Sequence, residues 1–170
     1  MLHNIGNILP ILERAMKIKE VIQSDLVDFS NIPPSYYLLG LLSAFENRFQ
    51  AMADKEIGEI SWKQFFAIVC INMCKEPPTL NELSEVLGSS HQNVKQILLK
   101  LEKKGFIVFE PDKKDKRKQR IMLTEQCRKF CEGNEEMSRA IMGKMFAGVT
   151  EKELNTTIQT IMKIENNIKE

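Results

Sequence analysis

The sequence has only two histidines, and it holds no His-x-x-x-His pair, no glycine-rich phosphate loop and no nucleophile elbow. Metal-assisted hydrolysis, nucleotide chemistry and serine-type acyl transfer are left without their usual residues, so no enzyme, cofactor or metal is expected. Long apolar runs are missing too. The longest uninterrupted one, Phe65 to Ile71, and the Tyr36 to Leu42 stretch broken by Gly40 both fall far short of the roughly 20 residues a membrane span needs. The opening residues Met1-Leu2-His3-Asn4 lack the basic start and apolar stretch of a signal peptide, which predicts a cytoplasmic protein without membrane contact. Internal repeats and low-complexity segments are absent.

What is present fits a folded protein of 170 residues, 43% apolar and 28% charged. That is enough for one ordinary domain, or for two small lobes that share helices. The net charge of +1 conceals a segregation. Lys95 to Arg120 holds ten Lys or Arg against four Asp or Glu, whereas the remainder of the chain holds 14 against 19. A charged hairpin tip standing alone would be an ordinary solvated surface, but positive charge gathered in one module points to a polyanionic partner.

The module runs from Thr79 to Thr124. Thr79-Leu80-Asn81-Glu82 is a capping box, Leu83, Val86 and Leu87 share one helical face, and Gly88 stops the helix. Ser89 to Gln92 reads as a second box, followed by Val94, Ile97, Leu98 and Leu101 at helical spacing and a stop at Lys103-Lys104-Gly105. Ile107-Val108-Phe109 and Ile121-Met122-Leu123 are short strand patterns. The loop between them, Pro111 to Arg120, has six Lys or Arg, two Asp and no apolar side chain except the proline. Two helices across a tight turn and a charged hairpin predict a winged helix-turn-helix, in a fold that is mainly α with a small β wing.

The flanks are helical. Ile5, Ile8, Leu9, Leu12, Ala15 and Met16 mark a first amphipathic helix, and Pro33-Pro34 closes that segment. Ser35 is expected to cap a helix with Leu38, Leu41, Leu42, Phe45, Phe49 and Met52 along one stripe, ending near Ala53-Asp54. Ser61 to Gln64 is another capping box. Thr124 is expected to cap one long helix, weakened at Gly133 and Gly143, with Phe130, Cys131, Met137, Ile141, Met145 and Phe146 turned inward. Thr150 to Glu153 boxes the last helix, with Leu154, Ile158, Ile161 and Ile168 on one side. These outer stripes are served either by packing on their own domain or by a two-fold dimer that sets two recognition helices about 34 Å apart.

Within the second helix, the stripe of Val94, Ile97, Leu98 and Leu101 leaves Gln92, Asn93, Lys95 and Gln96 pointing outward near the N-terminal end. Asn and Gln offer adenine a donor and an acceptor together, and Lys95 can reach guanine or a phosphate. Ser89, Ser90 and the first-turn amides suit a phosphate. His91 lies nearer the core side, where it either contacts the backbone or packs. Leu99 is a counter-signal, since helical phase puts it on the polar side; it points to contact with another helix and not to base reading. In the wing Arg117 is the first choice for insertion into a minor groove. Lys113, Lys114, Lys116, Lys118 and Arg120 are expected on phosphates. Asp112 and Asp115 would repel phosphate if exposed, so Asp115 is expected to orient Arg117 or a nearby amide.

These residues resemble the MarR family of bacterial transcriptional regulators, over roughly Ser35 to Ile168. The family's Asp-x-x-Asp-x-Arg wing signature and its apolar-x-Leu-Thr strand stand here as Asp112-Lys113-Lys114-Asp115-Lys116-Arg117 and Ile121-Met122-Leu123-Thr124. The helix-turn-helix, Thr79-Leu80-x-Glu82-Leu83 through Leu101-Glu102-Lys103-Lys104-Gly105-Phe106-Ile107, is similar as well. So are the helix starts at Ser61-Trp62-Lys63-Gln64-Phe65 and Gly148-Val149-Thr150-Glu151-Lys152-Glu153-Leu154. The resemblance implies a triangular homodimer joined by N- and C-terminal helices. It further implies a palindromic double-stranded DNA operator, released on arrival of a small anionic or lipophilic effector or an oxidant. The expected organisation is a helical extension at 1–34, dimerisation helices at 35–60 and 125–170, and the winged helix-turn-helix at 61–124. Two departures stand out: Cys127 where the family commonly has Gly, and the extension itself, which most members lack.

Cys70 and Cys74 are four apart on one helix, and Cys127 and Cys131 repeat the spacing. Bonding within a pair is disfavoured, because i and i+4 thiols sit at the upper limit for a disulfide. A four-Cys zinc site would need both helices to converge, and buried cysteines acting as small hydrophobes are the simpler reading. The resembling family's hydroperoxide sensors keep their reactive cysteine near the first helices, and here none precedes Cys70. A sensing Cys127 would need a depressed pKa. The expected function is a dimeric, sequence-specific DNA-binding regulator, a repressor released by a small molecule. The alternatives are a winged-helix protein-interaction module or a cysteine-based redox regulator.

Overall fold

A computed structural model describes residues 31–169. The expected first helix and most of the 1–34 extension lie outside the described residues. The boundary between two compact units falls after Trp62.

In the first unit, α1 (Pro34–Ile57) starts on the double proline and not on a Ser35 cap. Pro34 takes the first helical position, where a missing N–H has no consequence because that donor has no intrahelical partner. The helix also passes its expected end by about a turn, and Gly58 stops it in the left-handed region at φ 69°. Asp54, expected to lie at the terminus, accepts instead from the N–H of Trp62. Phe45 and Phe49 stack with centroids 6.0 Å apart, and Phe49 meets the Trp62 ring edge-on at 4.6 Å.

Helix α2 (Trp62–Met73) begins directly after Ser61 and buries Gln64, Ala67, Ile68, Cys70 and Ile71. Helix α3 (Leu80–Leu87) carries the Thr79 box in full. The Thr79 hydroxyl accepts from Glu82 N–H at 3.4 Å, and the Glu82 carboxylate accepts from Thr79 N–H at 2.7 Å. Gly88 ends the helix at φ 58°. Its buried residues are Leu83 and Ser84, and Val86 is 56% exposed, so the expected Leu83-Val86-Leu87 face is rotated by about one residue. Ser84 tolerates burial because its hydroxyl donates to Leu80 O at 2.8 Å.

Helix α4 (His91–Lys103) is capped by Ser90, whose hydroxyl accepts from Asn93 N–H at 3.3 Å. The box expected on Ser89 is therefore absent. Ser89 instead donates its N–H back to Ser84 O at 3.1 Å, completing the turn that left-handed Gly88 opens, and the helix register moves on by one residue. Val94, Leu98 and Leu101 are buried against the module core with Leu83, Phe106, Ile107 and Ile121.

Strands β1 (Ile107–Pro111) and β2 (Gln119–Leu123) pair antiparallel, Ile107 with Leu123 through Pro111 with Gln119. Both run two residues further toward the loop than their apolar patterns indicate. A third segment joins them, since Ile121 N–H donates to Pro78 O at 2.9 Å. Thr124 then caps α5 (Glu125–Gly133) by accepting from Cys127 N–H, while its hydroxyl donates to Gly105 O at 2.7 Å. The single long helix expected after the wing is two: Asn134 interrupts it, and α6 (Glu135–Met145) follows with Gly143 inside. The break follows Gly133, and the Asn134 side chain donates to Phe130 O at 2.8 Å, sharing that carbonyl with its own N–H at 3.2 Å. Helix α7 (Glu151–Lys169) opens on the complete Thr150–Glu153 box.

Candidate nucleic-acid interface

The outer face of α4 is polar and open. Gln92, Asn93, Lys95 and Gln96 are all exposed, as is Ser90 at the cap. The amides of His91 and Gln92 lie ahead of the first intrahelical bond, Val94 N–H to Ser90 O at 3.0 Å, and so belong to the donors that a helix start leaves for an anion. His91 is exposed, so the packing alternative for it does not hold. Ser89 is half-buried in the turn and presents less to a ligand than Ser90 does.

The wing is ordered by one carboxylate. Asp112 is buried, and its Oδ1 accepts from the N–H groups of Lys114 and Asp115, each at 2.8 Å. Its Oδ2 accepts from Arg120 Nε. The Arg120 guanidinium beside it, reinforced by the two amides, holds the Asp112 carboxyl down at about 2. The same guanidinium donates through Nη1 to Glu82 Oε2 and to Pro77 O, each at 3.0 Å. Glu82 is also kept below the usual carboxylate range, first by the Thr79 N–H and hydroxyl and then by Arg120. Arg120 therefore fastens the wing base to the start of α3.

This corrects the expectation that Arg120 meets a phosphate. Its side chain is 25% exposed, and two carboxylates already answer its charge. Strand register alone does not reveal the arrangement, because Arg120 stands opposite Glu110 yet turns to Asp112 and to Glu82, 38 residues upstream. Asp112, likewise, is removed from any approaching phosphate by burial.

Arg117 stands 91% exposed at the tip, its Nε 3.1 Å from Asp115 Oδ1. Asp115 also accepts from Arg117 N–H at 3.2 Å, and the Arg117 side chain is the main cause of its lowered pKa. Lys113, Lys114, Lys116 and Lys118 are exposed around it. Between the wing, the start of α3 and α4 lies a cleft of about 930 Å³, whose walls include Lys95, Leu99, Phe109 and Arg117. The structure thus brings Lys95 of α4 and Lys116, Arg117 and Lys118 of the wing onto a common cleft.

Cys127 lacks the depressed pKa that a sensing thiol needs. All four are free thiols. Burial, reinforced by Cys131, pushes Cys127 up to about 12, the opposite of what an activated thiolate requires. Burial raises Cys70 and Cys131 as well.

Helix, left-handed glycine turn, second helix and braced hairpin define a winged helix-turn-helix. Residues 60–118, which span most of the winged helix-turn-helix, match the model of the MarR family. Among solved structures, a MarR/EmrR family transcriptional regulator from Acinetobacter sp. ADP1 superposes with a TM-score of 0.72 at 18% identity, covering 81% of this chain and 99% of its own. An organohalide-sensing transcriptional regulator in its 2,4-dichlorophenol-bound form gives 0.72 at 20% identity, covering 83% and 85%. The MepR–DNA complex of S. aureus gives 0.68 at 19% identity, covering 80% and 96%. At such identities the likeness speaks for a shared fold. Among the described residues, no helix is long and apolar enough to cross a membrane.

Proposed function

We propose that the chain is a dimeric, sequence-specific DNA-binding transcriptional regulator of the cytoplasm, a repressor whose grip on a palindromic operator is released by a small molecule. One observation carries this reading: Lys116, Arg117 and Lys118 of the braced wing share a cleft with Lys95 of α4, next to the exposed Gln92, Asn93 and Gln96. Gln92, Asn93, Lys95 and Gln96 read base edges, Ser90 and the α4 amides take a phosphate, Arg117 enters the minor groove and the wing lysines hold the backbone. Dimerisation is supported by α7, where Leu154, Ile158, Ile161, Met162 and Ile168 are each at least 37% exposed. An apolar stripe of that kind calls for a second surface. Effector release draws on the dichlorophenol-bound neighbour, and in this chain on a cleft of about 370 Å³ that includes Phe65, Cys131, Arg139 and Met142.

A mobility-shift assay on fragments of the source genome tests the reading. Specific binding with a steep salt slope is expected, since every neutralised phosphate releases counterions. Absence of binding at low salt would instead favour a protein-interaction module.

A further inference from the structure

Leu99 is an aliphatic side chain on the polar face of α4, 42% exposed. The buried residues Val94, Leu98 and Leu101 fix the phase of the helix. At 100° per residue, Gln92, Gln96 and Leu99 then project from the opposite side, spaced i, i+4 and i+7. A rise of about 1.5 Å per residue spreads these three over about 10 Å, the length of about three base-pair steps. Leu99 continues the line of the two glutamines, and Lys95, Lys100 and Lys103 lie exposed around it against the single carboxylate of Glu102. A face so cationic is matched to a polyanion and poorly suited to an apolar protein surface.

The major groove offers an aliphatic side chain one apolar feature, the C5 methyl of thymine; other base-edge groups there are hydrogen-bond donors or acceptors. We propose that Leu99 is a specificity-determining residue that packs on a thymine methyl, beyond the positions read by Gln92 and Gln96. This rests on the DNA-binding reading above. The half-site recognised by α4 then contains a thymine selected for its methyl group and not for its hydrogen bonds.

Full-length protein is first used to select a binding site from a random duplex library. Each thymine of that site is then replaced singly by deoxyuridine, which removes the methyl and keeps the base pair. One position per half-site is expected to lose about fourfold in affinity, the equivalent of about 0.8 kcal/mol for one buried methyl. Leu99→Ala is expected to bind the thymine site more weakly and to lose all sensitivity to deoxyuridine there. Because Leu99 contributes little to the core, the variant should keep the wild-type fold by circular dichroism and the wild-type salt slope. A selected site without a deoxyuridine-sensitive thymine, or with a sensitivity unchanged in Leu99→Ala, overturns the methyl contact while leaving the regulator reading intact. Failure to select any sequence overturns both.

Discussion

Arg117 projects from the wing tip, 91% exposed, whereas Arg120, three residues on, keeps its guanidinium against Asp112 and Glu82. Arg117→Ala is expected to weaken operator binding about tenfold or more, with the dimer intact by sedimentation. Lys116→Ala should lower affinity evenly across sequences and reduce the salt slope by about one, measured by titration at several salt concentrations. Acid should reach the wing late. Asp112 has a native pKa of about 2 against an ordinary value of 3.8, so its contribution is complete above about pH 4 and is lost as pH falls through 2. The amide resonances of Lys114 and Asp115 should accordingly hold their positions from pH 8 to about 4 and shift only below that. At this scale residue type was legible and partner was not. Exposed polar positions on α4 follow from helical phase, but Arg120 looked like every other wing cation because its second carboxylate comes from a distant helix start.

Caps were the most legible elements. Thr79, Thr124 and Thr150 each accept from an N–H three residues on, a bond contained within four consecutive letters. The misreadings arose where a neighbour displaced the local pattern: Gly88 moved the α4 cap from Ser89 to Ser90, and the double proline started α1 without any cap. The break in the long helix falls at Gly133-Asn134, one of the two expected weak points, whereas α6 runs on through Gly143. Thr79→Ala should cost about 1 kcal/mol, the usual price of a lost N-cap. Glu82→Ala should cost more, because one carboxylate completes the box and anchors Arg120. Urea unfolding of both variants checks the order, and equal losses would mean that the anchor contributes nothing.

At the scale of the whole molecule, α7 sets the expectation. Glutamate placed at both Ile158 and Ile161 should leave the winged module folded, convert the dimer to a monomer in sedimentation, and lower operator affinity by roughly 10² or more through lost bivalency. Retention of the dimer would mean that other helices hold it. The module was legible because its signals are local and consecutive; the surface proposed to pair two copies was legible only as an apolar stripe.

Asp112 collects two loop amides in the free protein, and this bears on how quickly a duplex can be engaged. Fixing a backbone residue costs about 1–2 kcal/mol in lost conformational freedom, and here that ordering accompanies folding. The loop at Lys114 and Asp115 is thus ordered before a duplex arrives, which shortens any search after collision. Encounter should then be fast and similar for right and wrong sequences, leaving discrimination to residence time.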